Sequence, residues 1–275
     1  MLALKLTLVP SFLLIVSMAG KWWGPGVAGW LAGLPVVAGP ILYLLVLAHG
    51  PQFGAHAATL SLAAILASEA FSFGYAWTCR ASRWPRALAA GLTVWLACAL
   101  MLSRLPASPV WAVLCALAAV AFGNAFLPRS SAHAAGAPLT RLDLLGRMLA
   151  GAALTAFVTS LSGRLGPAWS GLLAVFPLMG LVLSVSSHRA HGPTFVIALL
   201  RGMVAGRFSF GAFCLLLSVT LTRMPPLAAF AAASAAAVIV QGFTRQWAVA
   251  ARGTAQPTLP PARASTPGSP RSAAD

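Results

Sequence analysis

The chain has 275 residues, 59% of them apolar and only 8% charged, with 18 Lys and Arg against 3 Asp and Glu and a formal net charge of +15. A soluble domain carries about a quarter charged residues because its surface faces water, so a mean hydropathy of +0.87 excludes that class and predicts an all-α, polytopic transmembrane bundle. Nor does the basic excess signal nucleic acid: the bases fall in short clusters between apolar runs, where they set orientation in a membrane.

A crossing helix needs about 20 mostly apolar residues, and nine runs qualify. They extend over Leu2 to Ala19, Ala28 to Ala48, Gly54 to Thr78, Ala87 to Ser103, Pro109 to Leu127, Leu142 to Leu161, Ala168 to Ser186, Thr194 to Thr222 and Pro226 to Phe243. The fourth is the shortest, and the eighth is long enough to tilt or break. Residues 1–127 therefore form a first unit of five crossings, 128–141 a connecting cytoplasmic loop, and 142–243 a second unit of four. The remainder, 244–275, is a cytoplasmic tail. From Thr254 it turns to Pro, Ser, Thr and Ala, a composition too poor in apolar groups to fold, and is predicted to be disordered.

Alternating the runs across a bilayer puts Lys5, Arg104, Arg164 and Arg223 on the side of the N-terminus. The other side receives Lys21, Arg80, Arg83, Arg86, Arg129, Arg141, Arg189, Arg245, Arg252, Arg263 and Arg271. The richer side is cytoplasmic, which predicts a bacterial inner-membrane protein with its N-terminus outside and its C-terminus inside. Lys5 and Ser17-Met18-Ala19 resemble parts of a cleavable signal. Pro10 in mid-run, and the repeat described next, favour a retained helix.

Gly24-Pro25, Gly29, Leu31, Ala32 and Pro35 match Gly166-Pro167, Gly171, Leu173, Ala174 and Pro177 at a constant offset of 142, which also carries His49-Gly50-Pro51 and Phe53 onto His191-Gly192-Pro193 and Phe195. After a five-residue gap, Phe71-Ser72-Phe73-Gly74 matches Phe208-Ser209-Phe210-Gly211, and Arg104-Leu105-Pro106 matches Arg223-Met224-Pro225. Five crossings separate the two starts. An odd number reverses direction, so the copies form an inverted-topology repeat, the plan of many secondary transporters.

The second unit, from about Leu142 to Phe243, resembles the GlpM-like family of small bacterial inner-membrane proteins. The residues that carry the resemblance are Gly171-Leu172-Leu173 to Phe176-Pro177, the long helix from Thr194, and Arg223-Met224-Pro225-Pro226. The family's fuller loop pattern is present only as Ser170-Gly171-Leu172-Leu173-Ala174-Val175-Phe176-Pro177. The first unit joins the resemblance only through the repeat. What it implies is an inner-membrane location and a connection to exopolysaccharide production, with no catalytic or binding residue to carry over.

Broken helices at matched positions of two halves free backbone groups to meet a solute. Gly33, Pro35, Gly39 and Pro40 interrupt the second run, and Pro177 with Gly180 the seventh; they read either as a paired discontinuous-helix site or as packing kinks. Glu69, one of three acids, lies inside the third run, where a lone carboxylate costs on the order of 3 kcal/mol. The repeat sets Gly206 opposite Glu69 and Arg207 one residue further on, so the two charges can reach similar depth. Three roles stand open for Glu69: an ion pair with Arg207, a carboxyl whose reversible protonation couples transport, or a satisfied structural group. Arg201 and Arg207 fall on different faces of an ideal helix and share an anion only if that helix is distorted.

His49, His56, His188 and His191 invite a metal reading, yet the matched loops lie on opposite membrane faces, so no metal or cofactor is expected. The stripes Gly29-x-x-x-Gly33 and Gly202-x-x-x-Gly206 read as close-packing surfaces, and Trp22, Trp23, Trp84, Trp169 and Trp247 as interfacial anchors. Cys79, Cys98, Cys115 and Cys214 read as small apolar helix residues. No P-loop, zinc-protease or nucleophile-elbow motif is present, which argues against an enzyme. The expected function is secondary transport of a small solute or anion near Gly33, Pro35, Gly39, Glu69, Pro177, Gly180, Arg201 and Arg207. The alternative is a non-transporting accessory or scaffold for envelope assembly. A hydrated Glu69 favours the first, and a Glu69 sealed between packed helices the second.

Overall fold

The computed structural model describes residues 2–36, 38–104, 108–129, 140–162 and 176–253, with the backbone alone for residues 2–6, 8, 141, 158–162, 245 and 247–253. The expectations placed on Gly166-Pro167, Gly171 to Ala174, Trp169, most of the connecting loop and the tail from Thr254 lie outside the described residues, as does the start of the seventh run. Everything regular among the described residues is α-helix, and the protein is an integral membrane protein of packed helices.

The chain forms α1 (Leu2–Trp23), α2 (Pro25–Ala32), α3 (Ala38–His49), α4 (Pro51–Ala63), α5 (Ile65–Thr78), α6 (Trp84–Leu102), α7 (Pro109–Phe126), α8 (Arg141–Ser162), α9 (Leu178–Thr220) and α10 (Pro226–Gly253). Through Ala64, which stays in the right-handed helical region, α4 and α5 make one rod, Pro51–Thr78. It is the centre of the bundle: 72% of its apolar window is buried, against 22% for α7 and for α10. The outer helices turn Leu100, Met101, Val110, Leu117, Val238 and Ile239 outward, a display that only a lipid solvent tolerates over so many crossings. Among the described residues, five helices are long and apolar enough to cross a membrane, the α4–α5 rod, α6, α7, α9 and α10. The fourth run, the shortest in sequence, is among them, because its helix begins early at Trp84 and reaches 19 residues.

Three departures from the sequence expectation have local causes. The second run is divided into α2 and α3. The seventh and eighth runs are joined as α9, 43 residues bent at Gly192. Finally, α10 continues past Phe243 to Gly253, so residues 244–253 are helix rather than tail; Gln246 to Arg252 carries no breaker before that glycine.

Proline following glycine makes the joints. Gly24, Gly50 and Gly192 hold φ of 88°, 88° and 78° with extended ψ, a region essentially closed to residues with a side chain. Each is followed by Pro25, Pro51 or Pro193 at the start of the next helix, where the missing amide costs nothing. The Gly50 and Gly192 joints also share a ring contact across the bend, His49 on Phe53 at 4.7 Å and His191 on Phe195 at 4.4 Å.

Candidate functional site

The glycine stripes meet each other. A Cβ on Gly29 would strike the Leu199 carbonyl, one on Gly33 the backbone of Gly206, and one on Gly202 the Gly26 carbonyl. With nothing but hydrogen on either side, α2 lies directly on the backbone of α9, running parallel to it.

Just past that contact the second run breaks, between Ala32 and Ala38. The amides of Gly33 and Leu34 turn back to Trp30 and Leu31 (3.2 and 3.0 Å), and that of Gly39 to Pro35 (2.8 Å). The carbonyl of Trp30 accepts a second bond from outside the run: Gln241 of α10, buried, donates its Nε2 to it at 2.9 Å. The Trp30 indole donates to Thr244 at 3.1 Å. Gly39 sits against the Phe213 ring, while Gly180 and Pro177, at the start of α9, sit one above the other against Phe71 and the first turn. The break of the second run is therefore occupied by the chain's own groups, and Gly180 near Pro177 packs on Phe71.

Glu69 is wholly buried on α5, and its Oε1 accepts from the Arg207 Nε of α9 at 2.7 Å. This is the ion pair among the described residues. Its second oxygen, Oε2, is buried without a partner and faces Gly123 of α7, where a Cβ would stand 3.1 Å away. The glycine leaves room for a carboxylate at a three-helix crossing. Arg201, six residues before Arg207, points elsewhere: its guanidinium donates to the carbonyl of Leu127 at 2.7 Å, closing the C-terminal end of α7, where a cation suits the helix dipole. Thus Glu69 and Arg207 come together, with Gly33 one residue from Arg207 through its contact on Gly206, and Arg201 stands apart.

Sequence reasoning missed two sets of residues. Tyr75, buried on α5, bonds the Nδ1 of His188 at 3.2 Å. Arg147 on α8 is 4% exposed. It donates to Ser17 of α1 at 3.0 Å and to Ser187 of α9 at 3.4 Å. Both signals were diluted in the sequence: Arg147 lies close enough to Arg141 to pass for a flanking base, and hydroxyls in apolar runs carry no pattern.

Arg80 and Arg189 gather at one end. Arg80 lies over Trp77 at 4.9 Å, Trp77 donates to the Phe126 carbonyl at 3.0 Å, and Arg189 lies over Trp84 at 5.9 Å. The ends of α5 and α7, the start of α6 and the middle of α9 are thereby level. At the opposite end His49 to Gln52 face Leu221 to Pro225 across a shallow groove. Comparison with protein families, with characterised proteins and with solved structures returned no match to this chain.

Proposed function

We propose that this protein is a non-transporting accessory of the bacterial inner membrane, a packed helical scaffold with its N-terminus outside and its C-terminus in the cytoplasm. The observation that carries the reading is the sealing of Glu69: no part of it meets solvent, and Arg207 closes over it. The broken second run supports the same view, since Gln241 and the backbone of α9 occupy the groups that a solute would need. A role in envelope or exopolysaccharide assembly belongs to this reading through the GlpM-like resemblance of the second half, and no catalytic chemistry is assigned.

Transport is the second reading, favoured by two observations. The buried, unpartnered Oε2 of Glu69 is a place where a proton or a solute donor would bind. The second is that helices matched in the sequence lie antiparallel, the arrangement an inverted repeat would have. Gly54 faces Leu221, Leu62 and Ile65 face Gly211, and Glu69 pairs with Arg207, so α4–α5 and the second half of α9 run antiparallel. Read through the repeat, Glu69 corresponds to Gly206 and Ala70 to Arg207, so the same ladder is obtained from either strand, as a two-fold axis beside the ion pair requires. In the other matched pair, α1 and α8, Ser17 meets Arg147 and Leu13 meets Gly151, again antiparallel.

The test replaces the four native cysteines and places single cysteines at Pro35 and Ser72, which leaves the ion pair intact. Membrane-impermeant maleimides are then applied from each side. Protection from both sides is the expected result; labelling from either side overturns the scaffold in favour of transport.

A further inference from the structure

Arg147 is a buried cation that makes no ion pair among the described residues; the acid within its electrostatic reach is Asp143, on the exposed first turn of the same helix. Only three acids exist. Glu69 is committed to Arg207. Asp143, exposed and one turn from Arg147, accepts from the Thr140 amide and hydroxyl at 3.3 and 2.7 Å and makes no ion pair. Asp275 ends the chain outside the described residues. A guanidinium at this burial needs a counter-charge, and hydroxyls do not provide one.

The surroundings are built from donors with capacity to spare. The Nε of Arg147 is buried without a partner, and so is the Nδ1 of His191. Ser17 and Ser187 accept from the guanidinium, which leaves each hydroxyl hydrogen free to point onward; among the described residues neither is shown donating. Ser187 and His191 are one turn apart and share a face of α9, and His191 lies within electrostatic reach of Arg147. An arginine fork with flanking hydroxyl donors, and an imidazole that donates when its Nδ1 carries the proton, matches the oxygens of a phosphate group. Arg147 also lies six residues into α8 from Arg141, about 9 Å at the helical rise, a depth that a headgroup or a dissolved ion reaches from the basic end of the bundle.

We propose that Arg147, Ser17, Ser187 and His191 bind a phosphate-class oxyanion, either the phosphodiester of an anionic lipid or free phosphate. This site is separate from Glu69 and Arg207 and rests on neither reading of the protein's function.

The full-length protein in neutral detergent is heated while its tryptophan fluorescence is followed, during titration with sodium phosphate, with sodium chloride at matched ionic strength, or with mixed micelles of phosphatidylglycerol or phosphatidylcholine. A ligand of the folded state raises the midpoint saturably. The expected result is a saturable rise with phosphate or phosphatidylglycerol, with affinity weakened about 10-fold or more in Arg147→Gln, partly kept in Arg147→Lys, and unchanged in the surface variant Arg80→Gln. A response to inorganic phosphate identifies a dissolved anion; a response to phosphatidylglycerol alone identifies lipid. If Arg147→Gln does not fold, the double variant Ser17→Ala, Ser187→Ala keeps the charge and is expected to bind several-fold more weakly. No saturable response in the unaltered protein, or undiminished affinity in these variants, overturns the proposal.

Discussion

Among the described residues, two guanidiniums lie inside the bundle in different company, Arg147 buried and Arg207 partly so. Arg207 meets a carboxylate at 2.7 Å, whereas Arg147 meets two serine hydroxyls and leaves a nitrogen unbonded. The first is neutralised from within the chain, by a residue 138 positions away. The second is only solvated by it. In a medium where a lone charge is costly, that difference separates a structural tie from a vacancy in the charge balance.

The sharpest way to break the comparison is to strip the first guanidinium of its partner. Glu69→Gln keeps an acceptor oxygen but removes the charge, and is expected to cost about 3–5 kcal/mol, read as the unfolding free energy in mixed micelles. Replacing both members, Glu69→Leu with Arg207→Met, should cost clearly less than the single change. If the two cost the same, the pair is not coupled. At the next level, Gly33→Ala or Gly206→Ala forces α2 off α9, with an expected loss of about 1–3 kcal/mol and a weaker yield of folded protein on size-exclusion chromatography. Gly192→Ala, by contrast, meets open space and acts only through its positive φ, again about 1–3 kcal/mol; a smaller effect would mean that the bend relaxes. Least costly is Thr140→Ala at the start of α8. The side chain bonds the Asp143 amide at 3.1 Å, and its loss should lower the thermal midpoint by the equivalent of about 1 kcal/mol.

Much of this contrast was legible in the sequence on one side and not on the other. Glu69 stood out because an acid inside an apolar run has few neutral explanations, and the repeat brought Arg207 to its level. The glycine stripes announced close packing and the prolines announced breaks. What the sequence did not contain was the identity of the neighbours: that Gly33 meets Gly206 and Gly202 meets Gly26, or that Gln241 reaches the carbonyl of Trp30. Such pairings depend on how helices rotate about their axes, which hydropathy leaves undetermined when nearly every face is apolar. Arg147 escaped for the same reason. Near the end of a run, a base that snorkels outward and a base that turns inward have the same sequence signature.

The 138 residues between Glu69 and Arg207 also have a meaning in time. During synthesis the carboxylate leaves the ribosome first and waits for its guanidinium, at about 5–20 residues per second on the order of ten seconds. For that interval the nascent first half carries an acid whose base has not yet been made, and only the arrival of α9 lets the chain neutralise it from within, so the ion pair ties together parts of the bundle made at different times.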